Sequence, residues 1–282
     1  MNDVKKIKKI ATQIRLDTLL SLEKMGQGHL GGSFSIVELL AVLYGKYMKF
    51  NPKDIHWQDR DYLVLSKGHA GVGLYSTLAN FGFFDKSMLA TINQGGTSLP
   101  SHPDRLKTPG VDVTTGSLGQ GTSIAAGIAT GLRLQNKEND VYLIVGDGEL
   151  NEGQCWEAFQ YIAHQKLNHC IVIIDDNKKQ LDGFTTDIIN QFDLKKKFES
   201  FGFYTIQVKG NDVNEIDWAI SESKSVKNQA VCIILDTTKG QGIPFFEHYS
   251  DNHSVKFQSD EIKKETKKAI EYLQEVLKEL DE

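Results

Sequence analysis

VYLIVGDGELNEG, residues 141–153, opens with five apolar residues and then sets a carboxylate, Asp147, between Gly146 and Gly148. A short apolar run rich in β-branched residues reads as a strand buried on both faces, the kind that builds parallel sheets covered by helices. Four other runs share this character: DYLVLS (61–66), CIVIID (170–175), YTIQV (204–208) and AVCIILD (230–236). Helical patterns lie between them at about 69–81, 119–136, 153–166, 194–202 and 212–225. A last pattern at about 259–280 puts Ile262, Ala269, Ile270, Leu273, Val276, Leu277 and Leu280 on one face. Ser35 and Glu38 stand in capping-box spacing ahead of an apolar stripe of Val37, Leu40 and Tyr44, which predicts a helix entered at Ser35. The expected fold is α/β, a parallel sheet with helices on both faces, in a single domain over 1–282.

The composition agrees with such a fold. The chain has 282 residues, 40% of them hydrophobic, enough for a substantial core. A net charge of −5 spread over mixed signs gives no sign of a nucleic-acid or anionic-membrane partner. The basic opening VKKIKKIATQIRLDTLL is interrupted by Asp17 and reads as an amphipathic first helix rather than a targeting segment. No apolar stretch approaches the length of a membrane span, and Cys155, Cys170 and Cys232 form no CxxC pair. A reduced, cytoplasmic protein with buried thiols is expected. The longest irregular stretch, NQGGTSLPSHPDRLKTPGVDV (93–113), holds three of the five prolines, and a loop of that length in a compact domain points to function.

In open α/β sheets, ligands gather beyond the carboxyl ends of the strands, where Asp147 stands. A calcium loop fails here, because its sixth position is Glu152 and its twelfth Ala158; a dinucleotide fingerprint fails for lack of GxGxxG. Asp147 also reads as a simple cap for the helix that follows. A second strand, CIVIIDDN, ends in Asn177. If the two strands are neighbours, the Asp147 carboxylate and the Asn177 amide oxygen share one edge. With a main-chain carbonyl and two phosphate oxygens they would make an octahedral site for magnesium or calcium.

GDGELNEG followed at this interval by DDNKKQLDG resembles the GDG…N motif with which thiamine-diphosphate enzymes hold metal and diphosphate. GQGHLGGSFS (26–35), LSKGHAGVGLY (65–75), SHPDR (101–105) and TTGSLGQGTSIAAG (114–127) resemble the transketolase family in order and spacing. The resemblance implies a thiamine-diphosphate-binding fold with Asp147, Asn177 and the Lys179 carbonyl as metal ligands. It implies that Gly148 lets the backbone approach the diphosphate, that His69 binds a phosphate oxygen, and that Gly116 and Leu118 touch the aminopyrimidine. His29, His102 and His253 match the histidines that bind substrate hydroxyls and move protons, a role suited to a group titrating near neutral pH. Glu152 and Glu157 match carboxylates that link two sites across a dimer; read alone, they are first-turn helix acids. His56, His164, His169 and His248 gain nothing from the resemblance.

The departures are specific. In the family the last histidine commonly lies in Trp-His-Gly, whereas here Asn252 and Ser254 flank His253. Ser101 and Thr122 differ more mildly. Nothing after residue 183 repeats a cofactor motif, so the half that binds the aminopyrimidine and supplies the activating glutamate is expected on another polypeptide. The resemblance therefore implies the N-terminal subunit of a split transketolase that transfers a two-carbon ketol unit with thiamine diphosphate and Mg2+ (or Ca2+), in an α2β2 heterotetramer acting on sugars or sugar phosphates. A 2-oxoacid-decarboxylating thiamine enzyme shares GDG…N but not the other motifs. A non-catalytic subunit that kept the fold would bind cofactor without turnover.

Overall fold

The computed structural model describes residues 3–282. Its strands are β1 (Gln27–Gly28), β2 (Tyr62–Leu65), β3 (Val141–Gly146), β4 (Cys170–Asp176), β5 (Tyr204–Lys209), β6 (Val231–Asp236) and β7 (Val255–Lys256). Five of these form one parallel sheet in the order β2-β3-β4-β6-β5, and β1 pairs antiparallel with β7. The five runs read as strands coincide with these five to within one residue at each end. The small β1–β7 pair was not legible, because two residues carry no period.

Side-chain alternation divides the core in two. Tyr142, Ile144, Ile171, Ile173, Ile233 and Leu235 pack with the helices Asp3–Met25, Val37–Val42, Gly71–Asn80, Val213–Ser225 and Asp260–Asp281. Val141, Leu143, Val145, Val172, Ile174 and Ile234 pack with Gln120–Leu134, Gly153–His164 and Leu194–Ser200 on the other face. A strand with both faces covered needs no polar positions, which is why these runs are uninterrupted. The first and last helices pack on each other; Leu273 of the last is 2% exposed, and truncating such a leucine to alanine costs about 2–5 kcal/mol. Ser259 caps that helix by accepting Ile262 N at 3.2 Å. All three cysteines are buried and unpaired, and burial pushes the Cys155 and Cys170 thiols up to about 12.

The helix entry at Ser35 differs from expectation. A short helix, Leu30–Phe34, precedes it, and Val37–Val42 starts after Ile36 with no side-chain cap. The Ser35 hydroxyl donates instead to Asp175 Oδ2 at 2.6 Å, and Glu38 receives Arg15 Nη2 at 2.8 and 2.9 Å. Buried charges bind these side chains more strongly than backbone N–H groups would. The loop 93–113 has no strand or α-helix, yet it is pinned: Tyr75 Oη donates to Pro100 O at 2.8 Å and Thr115 N to Pro103 O at 3.1 Å.

Candidate active site at the carboxyl edge of the sheet

Strands β3 and β4 are adjacent and parallel, with Gly146 opposite Asp175, so both chains leave the sheet at the same edge. Asp147 follows at once and is 2% exposed. Its Oδ1 accepts Gly148 N at 2.8 Å and its Oδ2 accepts Lys178 N at 2.6 Å. It therefore does cap the turn, but the two bonds leave its charge uncompensated. Burial, with the charges of Asp175 and Asp176, pushes its carboxyl up to about 7. Asn177 Nδ2 donates to Asp175 Oδ2 at 2.8 Å, which turns the amide oxygen the other way, where it accepts Lys179 N at 3.2 Å. The Lys179 carbonyl accepts Lys239 Nζ at 3.0 Å. These are all oxygen donors, the chemistry of a hard divalent cation. Among the described residues no three His, Cys, Asp or Glu side chains converge as a metal cage, so a cation here would draw the rest of its shell from a ligand.

Asp175 organises the edge from below. It is fully buried and receives Lys67 Nζ and Ser35 Oγ at 2.6 Å, Thr237 Oγ1 at 2.5 Å and Asn177 Nδ2 at 2.8 Å. Burial alone would raise its pKa, but the Lys67 ammonium and these donors outweigh it and hold the carboxyl below its usual range. Glu149, 2% exposed, ties the neighbouring loops by accepting Ser66 Oγ at 2.5 Å, Gly119 N at 2.8 Å and Gly146 N at 3.1 Å.

Four histidines from distant segments meet beside this edge. The His29 ring centroid lies 5.5 Å from His69, 5.9 Å from His102 and 5.2 Å from His253, and His69 lies 5.1 Å from His253. Burial lowers the pKa of all four; His102 and Lys239 add to this for His29, and His253 falls to about 3 through burial, Lys239 and His29. These rings are therefore neutral at neutral pH, not poised near it as expected from the isolated side chain. Each then offers one donor and one acceptor, a match for sugar hydroxyls.

A cavity of about 320 Å3 is lined by Lys67, His69, Gly116, Leu118, Asp147 and Asn177, and also by Lys179, Leu181, Lys239 and His253. Loops cross tightly at its wall: a Cβ on Gly68 would lie 2.8 Å from Gly116 N, and one on Gly148 would lie 2.7 Å from Gln180 Cβ. Gly148 thus admits Gln180 to the turn. Glu152 borders the cavity, whereas Glu157 lies on an outer groove with Gly127, Gly131 and Tyr161; both glutamates are exposed. Sequence reading missed Lys67 and Lys239, 1% and 3% exposed. The signal was there: each follows an apolar strand run by two or three residues, close to the position that made Asp147 conspicuous.

The family described as "Transketolase, thiamine diphosphate binding domain" matches residues 6–275. The chain is 44% identical over 246 residues to the 6-deoxy-6-sulfo-D-fructose transketolase subunit SqwG of Clostridium sp. (strain MSTE9), covering 87% of this chain and 90% of that one. It is 38% identical over 258 residues to an apulose-4-phosphate transketolase subunit of Actinobacillus succinogenes, covering 92% of each. The transketolase of Campylobacter jejuni superposes with a TM-score of 0.86 at 30% identity, over 96% of this chain but 43% of its own. The chain thus spans nearly the whole of the subunit relatives and less than half of the solved transketolases. Family match, relatives and fold agree: the chain belongs to the transketolase family, as its thiamine diphosphate-binding domain.

Proposed function

We propose that this chain, as one diphosphate-binding domain, is the N-terminal subunit of a split transketolase, which moves a two-carbon ketol unit from a ketose to an aldose only together with a second polypeptide. The observation that carries the reading is the meeting of four neutral histidines with the oxygen-donor edge of Asp147 and Asn177. A buried carboxylate with no ion pair among the described residues, an amide oxygen and a carbonyl fit Mg2+ (or Ca2+) and, through it, a diphosphate. His69 adds a neutral donor, and Lys67 and Lys239 add positive charge, for the phosphate oxygens, while Gly116 and Leu118 offer a wall for the aminopyrimidine. Thiamine diphosphate, when bound, supplies the carbanion chemistry. His29, His102 and His253 bind the sugar hydroxyls and, being neutral, accept or donate a proton at those oxygens.

The second chain needs a seat beside the cavity. Leu181, Phe184, Ile188, Ile189 and Phe192 are all exposed, and Leu181 also lines the cavity. Such a concentration of apolar surface at a site's rim marks an interface. The small residues of the helix Gln120–Leu134 suit either packing on its own sheet or close contact with another chain. Gly121 packs on Ser66, but a Cβ on Gly127 or Gly131 would meet nothing within 4 Å, which favours an outside partner for that part. We place Glu152 and Glu157 at a contact between two copies of the site, in an α2β2 assembly. Among the described residues no helix is long and apolar enough to cross a membrane, and three unpaired buried thiols favour a reducing, cytoplasmic setting. The test is to purify the chain with and without its neighbouring gene product and assay ketol transfer with cofactor and Mg2+ over a panel of ketoses and aldoses. Turnover by the pair alone is expected; turnover by the isolated chain overturns the split, and cofactor binding without turnover by the pair favours a non-catalytic subunit.

A further inference from the structure

We infer that Asn252 is a positioning residue, one buried amide that fixes Lys239, His253 and His29 relative to each other; what those groups then do rests on the transketolase reading above. Asn252 is 1% exposed and lies behind the cavity wall to which its neighbour His253 belongs. Its Nδ2 donates to Lys239 O and to Phe246 O, both at 2.9 Å. Its own carbonyl accepts Gly31 N at 2.8 Å, and Gly31 O accepts Gly240 N at 3.2 Å. Three segments are thereby knotted: the one bearing His29, the one bearing Lys239 and the one bearing His253.

The knot demands these residue types. A Cβ on Gly31 would stand 2.5 Å from Asn252 O and 2.6 Å from Lys239 Cγ, so only glycine allows the crossing. A planar amide nitrogen has two donors to give two carbonyls; serine has one, and an aspartate would face both carbonyls with negative oxygen. An apolar side chain would leave Lys239 O and Phe246 O buried without this donor. The result is visible at the tips: Lys239 Nζ lies 2.8 Å from His253 Nδ1, and the His253 ring stands against both His29 and His69. Neither tip is held by a rigid helix or sheet, since His253 lies in a turn and Lys239 in a loop. Their placement depends on the main-chain anchorage that Asn252 supplies.

The test uses Asn252→Ser and Gly31→Ala, which loosen the knot from opposite sides. With the partner subunit, Asn252→Ser is expected to lower kcat/KM by about tenfold, and by about threefold when made in a His253→Ala background, because part of its effect runs through that ring and the rest through Lys239 and His29. A purely structural role predicts the same fold-loss in both backgrounds. Histidine ring signals of the full chain, read by NMR without partner or substrate, give a readout independent of turnover: those of His29 and His253 are expected to shift in either variant that folds by circular dichroism. Unmoved ring signals in a folded variant, or full additivity with His253→Ala, overturn the proposal. If the wild-type pair shows no ketol transfer, the transketolase reading fails, and the ring signals still decide the role of Asn252.

Discussion

Strand β3 has an aspartate at each end, and the two are almost equally buried: Asp140, just before it, is 5% exposed and Asp147, just after it, 2%. Their surroundings are opposite. Asp140 receives His169 Nδ1 at 2.9 Å and an ion pair from Lys224, and although burial would raise its pKa, these partners hold it below the usual carboxylate range. Asp147 has two backbone N–H donors, no ion pair among the described residues, and an acidity weakened to about 7. One end of the strand closes its electrostatics within the fold, and the other leaves them open beside a cluster of histidines. A buried charge left open toward a cavity is what a ligand can complete, whereas a closed pair serves the fold.

The largest effect expected from this contrast follows from deleting each carboxylate. Asp147→Ala should reduce Mg2+-dependent affinity for thiamine diphosphate by at least about a hundredfold, while the unfolding midpoint stays level or rises, because a costly buried carboxylate is removed. Asp140→Ala should do the reverse. It leaves Lys224 and His169 unpaired, but these side chains are 36% and 41% exposed, so solvent screening keeps the loss at about 1–2 kcal/mol. Cofactor affinity should change little. Calorimetric titration of the assembled pair and denaturant unfolding measure the two quantities, and the contrast collapses if both variants lose the same one.

A second effect separates groups within the open end. His29→Ala, His102→Ala and His253→Ala should lower kcat/KM by about tenfold to a hundredfold with cofactor affinity nearly kept. His69→Ala should weaken cofactor binding first. Steady-state kinetics over cofactor and substrate concentrations distinguish the cases; a His253→Ala enzyme with full kcat/KM would make that ring part of the scaffold only.

How legible was this in the sequence? The sheet was, strand by strand: β2, β3, β4 and β6 are apolar runs with buried faces, and the edge strand β5, though it exposes Tyr204 and Gln207, keeps its β-branched residues, so each needs only local reading. Asp147 and Asn177 were legible as strand-end polar residues, and their sharing of an edge followed once adjacent strands were assumed. The histidine cluster was not readable from spacing: His29, His69, His102 and His253 are up to 224 positions apart (253 − 29 = 224) and came in only through the family resemblance. Lys67 and Lys239 hid because lysine after a strand normally reads as surface. Lys67 is buried against Asp175, whose partners Ser35 and Thr237 lie on separate segments, and Lys239 against the carbonyls of Lys179 and Gln180. The Ser35–Glu38 spacing misled for a related reason, since the buried charges that capture those side chains are far away in the chain.

The contrast between open and closed regions extends to apolar surface. Phe184 and Phe192, 51% and 79% exposed, lie in the segment that leads away from the cavity, while Trp218, 56% exposed, sits alone on the helix Val213–Ser225. Phe184→Ser with Phe192→Ser should weaken association with the partner subunit by about tenfold, and Trp218→Ser should leave it unchanged. Sedimentation of mixtures measures this, and equal effects at both places would mean that the rim is not the seat of the partner.

The smallest effect is in the pH dependence of stability. His253 titrates at about 3 in the fold and near 6.5 when unfolded, so between those values the unfolded chain binds more protons than the native one. Stability from this ring is therefore complete above pH 6.5 and declines as pH falls toward 3. Asp140 behaves differently: its pKa is depressed from an already low value, so its contribution is complete down to the ordinary carboxylate value of 3.8 and is lost only as pH falls below it. Asp147, raised to about 7, runs opposite to the histidine and gains protons in the fold as pH falls. Subtracting a His253→Gln variant from the parent chain cancels what both proteins share. Between pH 7 and pH 5 the parent should lose more stability than the variant, by less than about 1 kcal/mol, because His253 keeps some solvent contact and its shift is screened. Denaturant unfolding of the isolated chain at the two pH values measures the difference. Identical slopes would mean that the ring protonates freely beside Lys239, and that the open end of β3 holds its charges more loosely than the 2.8 Å contact between them implies.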